Sequence, residues 1–206
     1  ANLVSTDTIA GGTGVDILSI TDASTTATIV DADFTNITAV ETLTLSANAD
    51  TLTLGALSMA AGIVTVNALA GDDTLTLSSA HTSDLTVNLT TGDDTILSGV
   101  AGTATDYTGA LTVTIDVDNL DGNDTITGGS GTTDTLTLTR DGSTDAAVTS
   151  TELAAVTAIE TFLVNGTTIA SNTITLSNNN AADGKTLHVD GSSLTTGVLT
   201  AVATNE

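Results

Sequence analysis

Short segments in which an aliphatic residue alternates with threonine recur along most of this chain. Leu, Ile or Val takes every second position in each segment, and Thr or another polar residue lies between them. A period of two places the aliphatic side chains on one face of a β-strand and the hydroxyl groups on the other, so the pattern predicts an all-β protein. The segments are ETLTLSA (41–47), DTLTLG (50–55), IVTVNAL (63–69), DTLTLSS (73–79), DLTVNLT (84–90), ALTVTIDV (110–117), DTLTLT (134–139) and NTITLS (172–177).

Helical patterning is nearly absent from the sequence. One segment, STELAAVTAI (150–159), begins with Ser and Thr, which are good helix N-caps. We expect either one or two turns of helix there or none.

Longer segments of the sequence also repeat, at a much greater separation along the chain. TDTIAGGTGVDILSIT (6–21) is echoed by NDTITGGSGTTDTLTLT (123–139), and ITAVETLTL (37–45) is echoed by VTAIETFLV (156–164), at an offset of roughly 120 residues. Internal repeats are typical of solenoids, whose repeats must stack to bury a core. The repeat predicts a first module over 1–118 and an incomplete second copy over 119–206, continuous with the first.

The scarcity of large side chains limits how the core can be built. The 206 residues include two Phe, one Tyr and no Trp, yet 40% are hydrophobic. A core of Leu, Ile, Val and Ala favours thin layers, so we predict a parallel β-solenoid, of the β-roll or β-helix kind. Tandem β-sandwich domains are the alternative, and they would reverse direction through hairpins and usually pack around a bulky residue such as Trp.

The charge balance narrows the possible partners. The formal net charge is -23, from 25 acidic residues against only Arg140 and Lys185. Nucleic acid, an anionic membrane surface and polyanionic substrates are excluded because each needs a basic footprint. Such a charge excess repels itself in a compact chain, and bound divalent cations would neutralise it. The absence of Cys removes disulfides as another source of stability.

Glycine and aspartate occur together at a fixed distance ahead of several strands. The pattern Gly-x-Asp-x-(Leu/Ile) spans 14–18, 71–75, 92–96 and 122–126, and it recurs with one inserted Thr over 131–136. Glycine permits a tight turn, and the carboxylate and the turn carbonyls offer the hard oxygen ligands that Ca²⁺ prefers. The pattern therefore predicts calcium sites, although an Asp that only caps its own turn would have the same spelling.

The predicted metal ligands fall into three groups. The densest group surrounds the middle of the chain, a second lies near the N-terminus, and a third consists of two isolated turns. In that order the residues are Asp116, Asp118, Asp121, Asn123, Asp124 and Asp134; Asp7 and Asp16; and Asp73 and Asp94.

These turns carry a family resemblance. The stretch GNDTITGGSGTTDTL (122–136) resembles the calcium-binding nonapeptide G-G-x-G-x-D-x-U-x of repeats-in-toxin (RTX) proteins, in which U is a large aliphatic residue. The resemblance implies a parallel β-roll with Ca²⁺ held between successive turns. Together with the Thr-rich remainder, it is similar to RTX-type bacterial surface-layer proteins and large surface adhesins. The matching residues are Gly128, Gly129, Gly131 and Asp134, then Gly122 and Asp124, and near the N-terminus Gly11, Gly12, Gly14 and Asp16.

The functional expectation is a structural protein and not an enzyme. His81 and His188 share no motif, no G-x-S-x-G segment occurs, and aromatic platforms for a sugar are scarce. We expect an extracellular, calcium-stabilised subunit of a bacterial surface layer or filament, which forms homo-oligomers through the solenoid ends. The alternative is a spacer or ligand-binding module of a large secreted adhesin. Ice is one candidate ligand because Thr-x-Thr recurs. The spacing of these segments is irregular, so the threonines need not share one plane. Outward-facing Thr is also ordinary on any β-surface.

Overall fold

The computed structural model describes residues 3–21, 26–99, 106–131, 133–140, 147–166, 171–181, 185–194 and 198–203. These residues form a parallel β-solenoid of about 6 turns with little helix. Strands are numbered in chain order. The longest sheet has eight strands, in the spatial order β2 (Ile17–Ser19), β5 (Thr42–Thr44), β7 (Thr65–Asn67), β9 (Leu85–Asn88), β11 (Leu111–Asp116), β13 (Thr135–Arg140), β16 (Thr161–Gly166) and β18 (His188–Asp190).

Three further sheets complete the walls of the solenoid. The six-stranded sheet contains β3 (Thr28–Ile29), β6 (Thr51–Leu54), β8 (Thr74–Leu77), β10 (Thr95–Leu97), β12 (Thr125–Thr127) and β15 (Val156–Thr157), in that order. A two-stranded sheet pairs β1 (Ile9–Ala10) with β4 (Ile37–Thr38), and a three-stranded sheet contains β14 (Ala147–Val148), β17 (Ser171–Leu176) and β19 (Val198–Ala203).

All strand pairs among the described residues are parallel, which excludes the alternative of tandem antiparallel sandwiches. Each of the eight alternating segments contains a strand. The chain alternates between sheets, so each strand pairs with one from the next turn; β5, for example, pairs with β7 through Leu43 and Val66. The prediction of a parallel β-solenoid is confirmed.

The core is a stack of aliphatic rows, as the lack of large rings predicted. One row runs the length of the eight-stranded sheet, and each member faces its neighbour in register. Its six inner members have no solvent exposure. The row consists of Leu18, Leu43, Val66, Val87, Val113, Leu136, Phe162 and Val189.

Within the described ranges, helix is confined to two short segments that the alternation did not predict. A 3-10 helix spans Asp31–Phe34, and α1 spans Ala56–Ala61. Asp31 accepts hydrogen bonds from the amides of Leu57 and Ser58, so it holds the start of α1. The segment 150–159 instead forms successive turns that lead into β15, so the helical option there is wrong. No helix among the described residues is long and apolar enough to cross a membrane.

The long-range repeat has a structural counterpart in its backbone contacts. β1 pairs with β4 as β12 pairs with β15, and β2 pairs with β5 as β13 pairs with β16. Ala39 and Ala158, which occupy the same place in the two echoes, both adopt positive φ angles of 53° and 56°. The eight-stranded sheet continues through both halves of the repeat without interruption.

Candidate functional site

Four buried aspartates form a ladder along the inside of the six-stranded sheet. Asp50, Asp73, Asp94 and Asp124 each stand directly before a strand, and none is more than 3% exposed. We call them the inner carboxylate ladder. The backbone amide of each donates to Oδ1 of the next, at 2.7 Å from Asp50 to Asp73, 3.0 Å from Asp73 to Asp94 and 2.9 Å from Asp94 to Asp124.

The strand pattern explains why these side chains point inward. Asp94 lies two positions before Ile96, and side chains two apart on a strand share a face. Ile96 belongs to the core, so Asp94 faces the core as well. Asp93, one position earlier, is exposed. The same period that predicted the strands therefore contained the direction of the carboxylates.

The ladder places like charges in a water-poor interior. Oδ2 of Asp73 and Oδ2 of Asp94 are both buried, and neither has a hydrogen-bond partner in the part of the chain that the structure describes. Burial raises the pKa of both carboxyl groups to about 7, and repulsion from neighbouring carboxylates contributes while the backbone hydrogen bonds oppose it. Burial also raises the pKa of Asp124. Asp73 and Asp94 therefore retain protons to about pH 7, and Asp124 to a higher pH than an ordinary Asp.

Two Asp–Glu pairs occupy equivalent places on the eight-stranded sheet. The amide of Asp16 donates to Glu41 Oε2 at 2.8 Å, and the amide of Asp134 donates to Glu160 Oε2 at 2.9 Å. Burial, with repulsion from Glu160 as a further cause, raises the pKa of Asp134 to about 6. Asp134 Oδ2 and Glu160 Oε1 are both buried and have no hydrogen-bond partner among the residues described.

A glycine turn encloses the Asp134 carboxylate. A Cβ added at Gly128 would lie 2.8 Å from Asp134 Oδ2, and one at Gly131 would lie 3.2 Å from Oδ1. The amide of Leu111, on the preceding turn of the solenoid, donates to Oδ1 at 2.8 Å. The glycines predicted to shape a calcium turn therefore make room for a carboxylate that binds the neighbouring turn.

The remaining predicted ligands lie at the surface. Asp118, Asp121 and Asn123 are exposed, and Asp116 is half-buried at the end of β11. Asp116 accepts the amide of Asp118 at 2.9 Å, and Asp121 accepts the amide of Asn123 at 2.7 Å. Asp7 accepts the amide of Val4. These short-range bonds are the turn-capping role that the sequence left as an alternative, and such caps retain oxygen lone pairs for another ligand.

The structure divides the ten predicted metal ligands by environment. Four are buried acceptors that bind neighbouring turns, and the others are half-buried or exposed. Among the described residues, no three His, Asp or Glu side chains converge closely enough to hold a metal ion. The sequence interpretation missed Asp50, Glu41 and Glu160. The signals were present: Asp50 precedes TLTL as Asp73 does, and the two Glu occupy the same position in the repeated TAVET and TAIET segments.

Threonines form rows on both large sheets, and apart from the buried Thr42 the members named below are half-buried or exposed. On the six-stranded sheet one row contains Thr28, Thr51, Thr74, Thr95 and Thr125. On the eight-stranded sheet a row contains Thr42, Thr65, Thr86, Thr112, Thr135 and Thr161. Strand spacing puts successive members about 4.8 Å apart. The threonines thus stack in register, despite their irregular spacing in sequence.

Comparison with protein-family models, curated proteins and solved structures gives no match for this chain. The RTX resemblance accordingly rests on the glycine–aspartate turns alone. The functional argument rests on the ladders, the turns and the edges of the solenoid.

Proposed function

We propose that this protein is a secreted structural subunit, stabilised by calcium, of a bacterial surface layer or surface filament. The observation that carries the proposal is the eight-stranded parallel sheet, whose outermost strands, β2 and β18, each pair on one side only within the described residues. A strand edge of this kind presents unpaired backbone donors and acceptors to another chain. A stack of near-identical turns is also suited to bearing load and to extension by further stacking.

Calcium is proposed as the stabilising ion because the chain is strongly acidic. Twenty-five acidic side chains face two basic ones, and the carboxylates recur from turn to turn along the solenoid. Extracellular Ca²⁺ would reduce the repulsion and couple stability to the medium outside the cell. The proposed principal site is the segment that contains Asp116, Asp118, Asp121 and Asn123. Its side chains do not converge without an ion, so Ca²⁺ would have to draw them together on binding. Backbone carbonyls and water would complete the six to eight oxygen ligands that Ca²⁺ takes.

The test of this site compares two matched variants. Asp121→Asn and Asp84→Asn each remove one exposed negative charge, and each native carboxylate accepts one backbone amide, from Asn123 and Ala110 respectively. Calcium titration by calorimetry should give weaker binding for Asp121→Asn and unchanged binding for Asp84→Asn. Equal affinities in both variants would remove the Asp116–Asn123 turn as the site.

A second candidate function is supported by the threonine rows. Hydroxyl groups stacked in register at regular spacing fit a repeating ligand surface, as in a ligand-binding module of a large adhesin, with ice as one candidate. Within the neighbouring row, Asn88 Nδ2 donates to Asn67 Oδ1 at 2.8 Å, and such a bond fixes the side-chain orientation. Thr112→Lys should abolish ice shaping or surface attachment by the monomer, and Thr91→Lys, at an exposed turn, should not. Wild-type protein that neither shapes ice nor attaches would eliminate this candidate.

A further inference from the structure

The row of core residues along the eight-stranded sheet is only partly covered at the two ends of that sheet. The six inner members of the row have no exposure, whereas Leu18 at one end and Val189 at the other are partly exposed. Ile17, on the outward face of β2, is 65% exposed and Val15 beside it is 77% exposed. Each end therefore presents an apolar layer together with a strand edge.

The turn before β2 has a counterpart in the middle of the solenoid, the glycine turn around Asp134. We call that counterpart the covered step, because the preceding turn of the solenoid lies on it. In the interior copy, the carbonyl oxygen of Tyr107 lies 2.0 Å from where a Cβ on Gly129 would be, and that of Gly109 lies 2.7 Å from a Cβ on Gly131. The preceding turn also supplies the amide of Leu111 to Asp134. A turn of the solenoid thus sits directly on this glycine–aspartate surface.

In the first copy the same surface is open. Cβ atoms added at Gly12 and Gly14 would find no atom of the described residues within 4 Å. Asp16 Oδ2 is buried with no hydrogen-bond partner among the described residues, as Asp134 Oδ2 is in the covered step. The surface has the glycines and the carboxylate of the covered step, and no described residue covers Gly12 or Gly14.

The opposite end of the molecule has complementary properties. β18 continues the register of the sheet, since Thr161 pairs with His188 and Phe162 pairs with Val189. The exposed Lys185, one of only two basic residues in the chain, lies just before β18 and borders an apolar pocket that Leu187 and Val189 also line. At the β2 end Asp16 lies just before the strand, with Glu41 beside it. The β18 end carries carboxylates as well, Asp190 in the strand and Glu160 beside it, and among the described residues Lys185 is the one cation at either end. The continued register and the matching apolar layers therefore favour contact between the two ends.

We propose that a second copy of this chain stacks head to tail on the first, with β18 of one copy pairing in parallel with β2 of the next. This inference rests on the proposed self-assembly and specifies its contact. The row that ends in His188 would continue into Ile17 of the next copy, and Val189 would cover its Leu18. The amide of Leu187 would then take the place at Asp16 that the amide of Leu111 has at Asp134. The contact joins unlike surfaces and adds each copy along the direction in which the turns already stack, so it repeats without closing and produces a filament.

The experiment blocks each end with proline. Ile20 donates its amide to Thr44 and His188 donates its amide to Glu160, so the alternate residues Ser19 and Val189 direct their amides to the free edges. Proline is tolerated where its missing N–H would face away from the sheet. Ser19→Pro therefore blocks the β2 edge and Val189→Pro blocks the β18 edge. Ser19→Ala and Val189→Ala are the matched controls that keep the amides.

Sedimentation velocity of the full chain should give a specific pattern. Wild type and both alanine controls should form long assemblies. Each proline variant alone should be monomeric, and an equal mixture of the two should give dimers only, since one intact end of each kind remains. Assembly of Ser19→Pro alone would overturn the head-to-tail contact and leave the proposed function in place. Wild-type protein that stays monomeric in calcium would overturn the proposed self-assembly, and the head-to-tail contact together with it.

A charge variant gives an independent test if either proline variant loses its β-sheet circular dichroism. Lys185→Glu replaces an exposed cation by an anion, and the added repulsion should weaken assembly at low salt. Thr91→Glu, at an exposed turn away from both ends, is the control for added negative charge. Equal assembly by Lys185→Glu and Thr91→Glu would overturn the proposed contact.

Discussion

Asp94 shows how a single carboxylate can connect three turns of the solenoid. It accepts the amide of Asp73 from one turn and donates its own amide to Asp124 on another, while its Oδ2 has no partner. A backbone amide buried without an acceptor costs free energy, so the carboxylate is needed even though its charge is unfavourable there. The main structural role of the Asp94 side chain is therefore to accept a hydrogen bond, and its charge is a cost of that role.

The roles of acceptor and charge can be separated by two substitutions. Asp94→Asn keeps an acceptor oxygen and removes the charge, so at pH 8 it should leave stability unchanged or raise it. Asp94→Ala leaves the Asp73 amide unpaired and should lower the free energy of unfolding by about 1–3 kcal/mol. Urea unfolding monitored by circular dichroism makes the comparison. An Asn variant as unstable as the Ala variant would contradict the acceptor role.

The raised pKa values predict how stability depends on pH. Asp73 and Asp94, with pKa values of about 7, and Asp134, at about 6, keep protons in the folded state that the unfolded chain loses near pH 4. The folded state binds more protons across this window, so the free energy of unfolding should fall as pH rises from about 4 to about 7. Burial lowers the pKa of His81, which acts in the opposite direction below about 6.5.

Urea unfolding at pH 5 and at pH 8, with a chelator present, measures this dependence. The protein should be more stable at pH 5, because several carboxyl groups outweigh one histidine. In Asp94→Asn the difference between the two pH values should be smaller. Greater stability at pH 8 than at pH 5 would show that the buried carboxylates ionise at ordinary pKa values.

The carboxylate chemistry was only partly predictable at this scale. The Gly-x-Asp spacing identified Asp73, Asp94, Asp124 and Asp134 as special residues, and the two-residue period implied their inward direction. That the acceptor partner is an amide of the adjacent turn could not be read from sequence. Such a contact depends on which strands pair, and a separation of 21 residues between Asp73 and Asp94 gives no local sign of it.

At the scale of elements, glycine sets how closely the turns can approach. Gly71 and Gly92 both have positive φ, at 118° and 136°. A Cβ at Gly92 would also lie 2.1 Å from the carbonyl oxygen of Gly71 on the adjacent turn, and one at Gly71 would lie 2.4 Å from the carbonyl carbon of Asn48. The glycines thus satisfy two demands, one from their own backbone angle and one from the turn beside them.

Gly12 offers a control that separates these demands, because it has a φ of 105° and open space around it. Gly12→Ala should cost only the strain of the backbone angle, about 1–3 kcal/mol. Gly92→Ala should cost clearly more, since two turns must separate. Thermal unfolding at low protein concentration, where assembly is negligible, provides the comparison. Equal losses would mean that turn-to-turn contact does not require glycine.

Element prediction succeeded where the alternation was long and failed where it was short. The eight segments were predicted because four or more alternating residues give a clear period. The two-residue strands β1, β3, β4, β14 and β15 carry no period of their own. The helix α1 was missed because ALSMAA follows an alternating strand directly, and its position depends on the long-range bonds from Asp31.

At the scale of the whole molecule, charge and architecture are linked. A solenoid places equivalent residues of successive turns about 4.8 Å apart, so any acidic position that repeats becomes a line of like charges. With a net charge of -23, neutralisation of those lines by protons inside or cations outside is expected to stabilise the chain. The fold class followed from composition and period, whereas the proposed assembly and metal binding depend on surfaces that lie beyond any local pattern.

Sedimentation velocity of the 206-residue chain in millimolar Ca²⁺ and in chelator, with thermal unfolding recorded on the same samples, tests the central claim most directly. Mg²⁺ at equal concentration controls for simple charge screening. Calcium should raise the unfolding temperature and shift the protein from small species to long, concentration-dependent assemblies, and Mg²⁺ should do much less. A monomer with the same unfolding temperature in Ca²⁺ and in chelator would contradict the account of a calcium-stabilised, self-assembling solenoid.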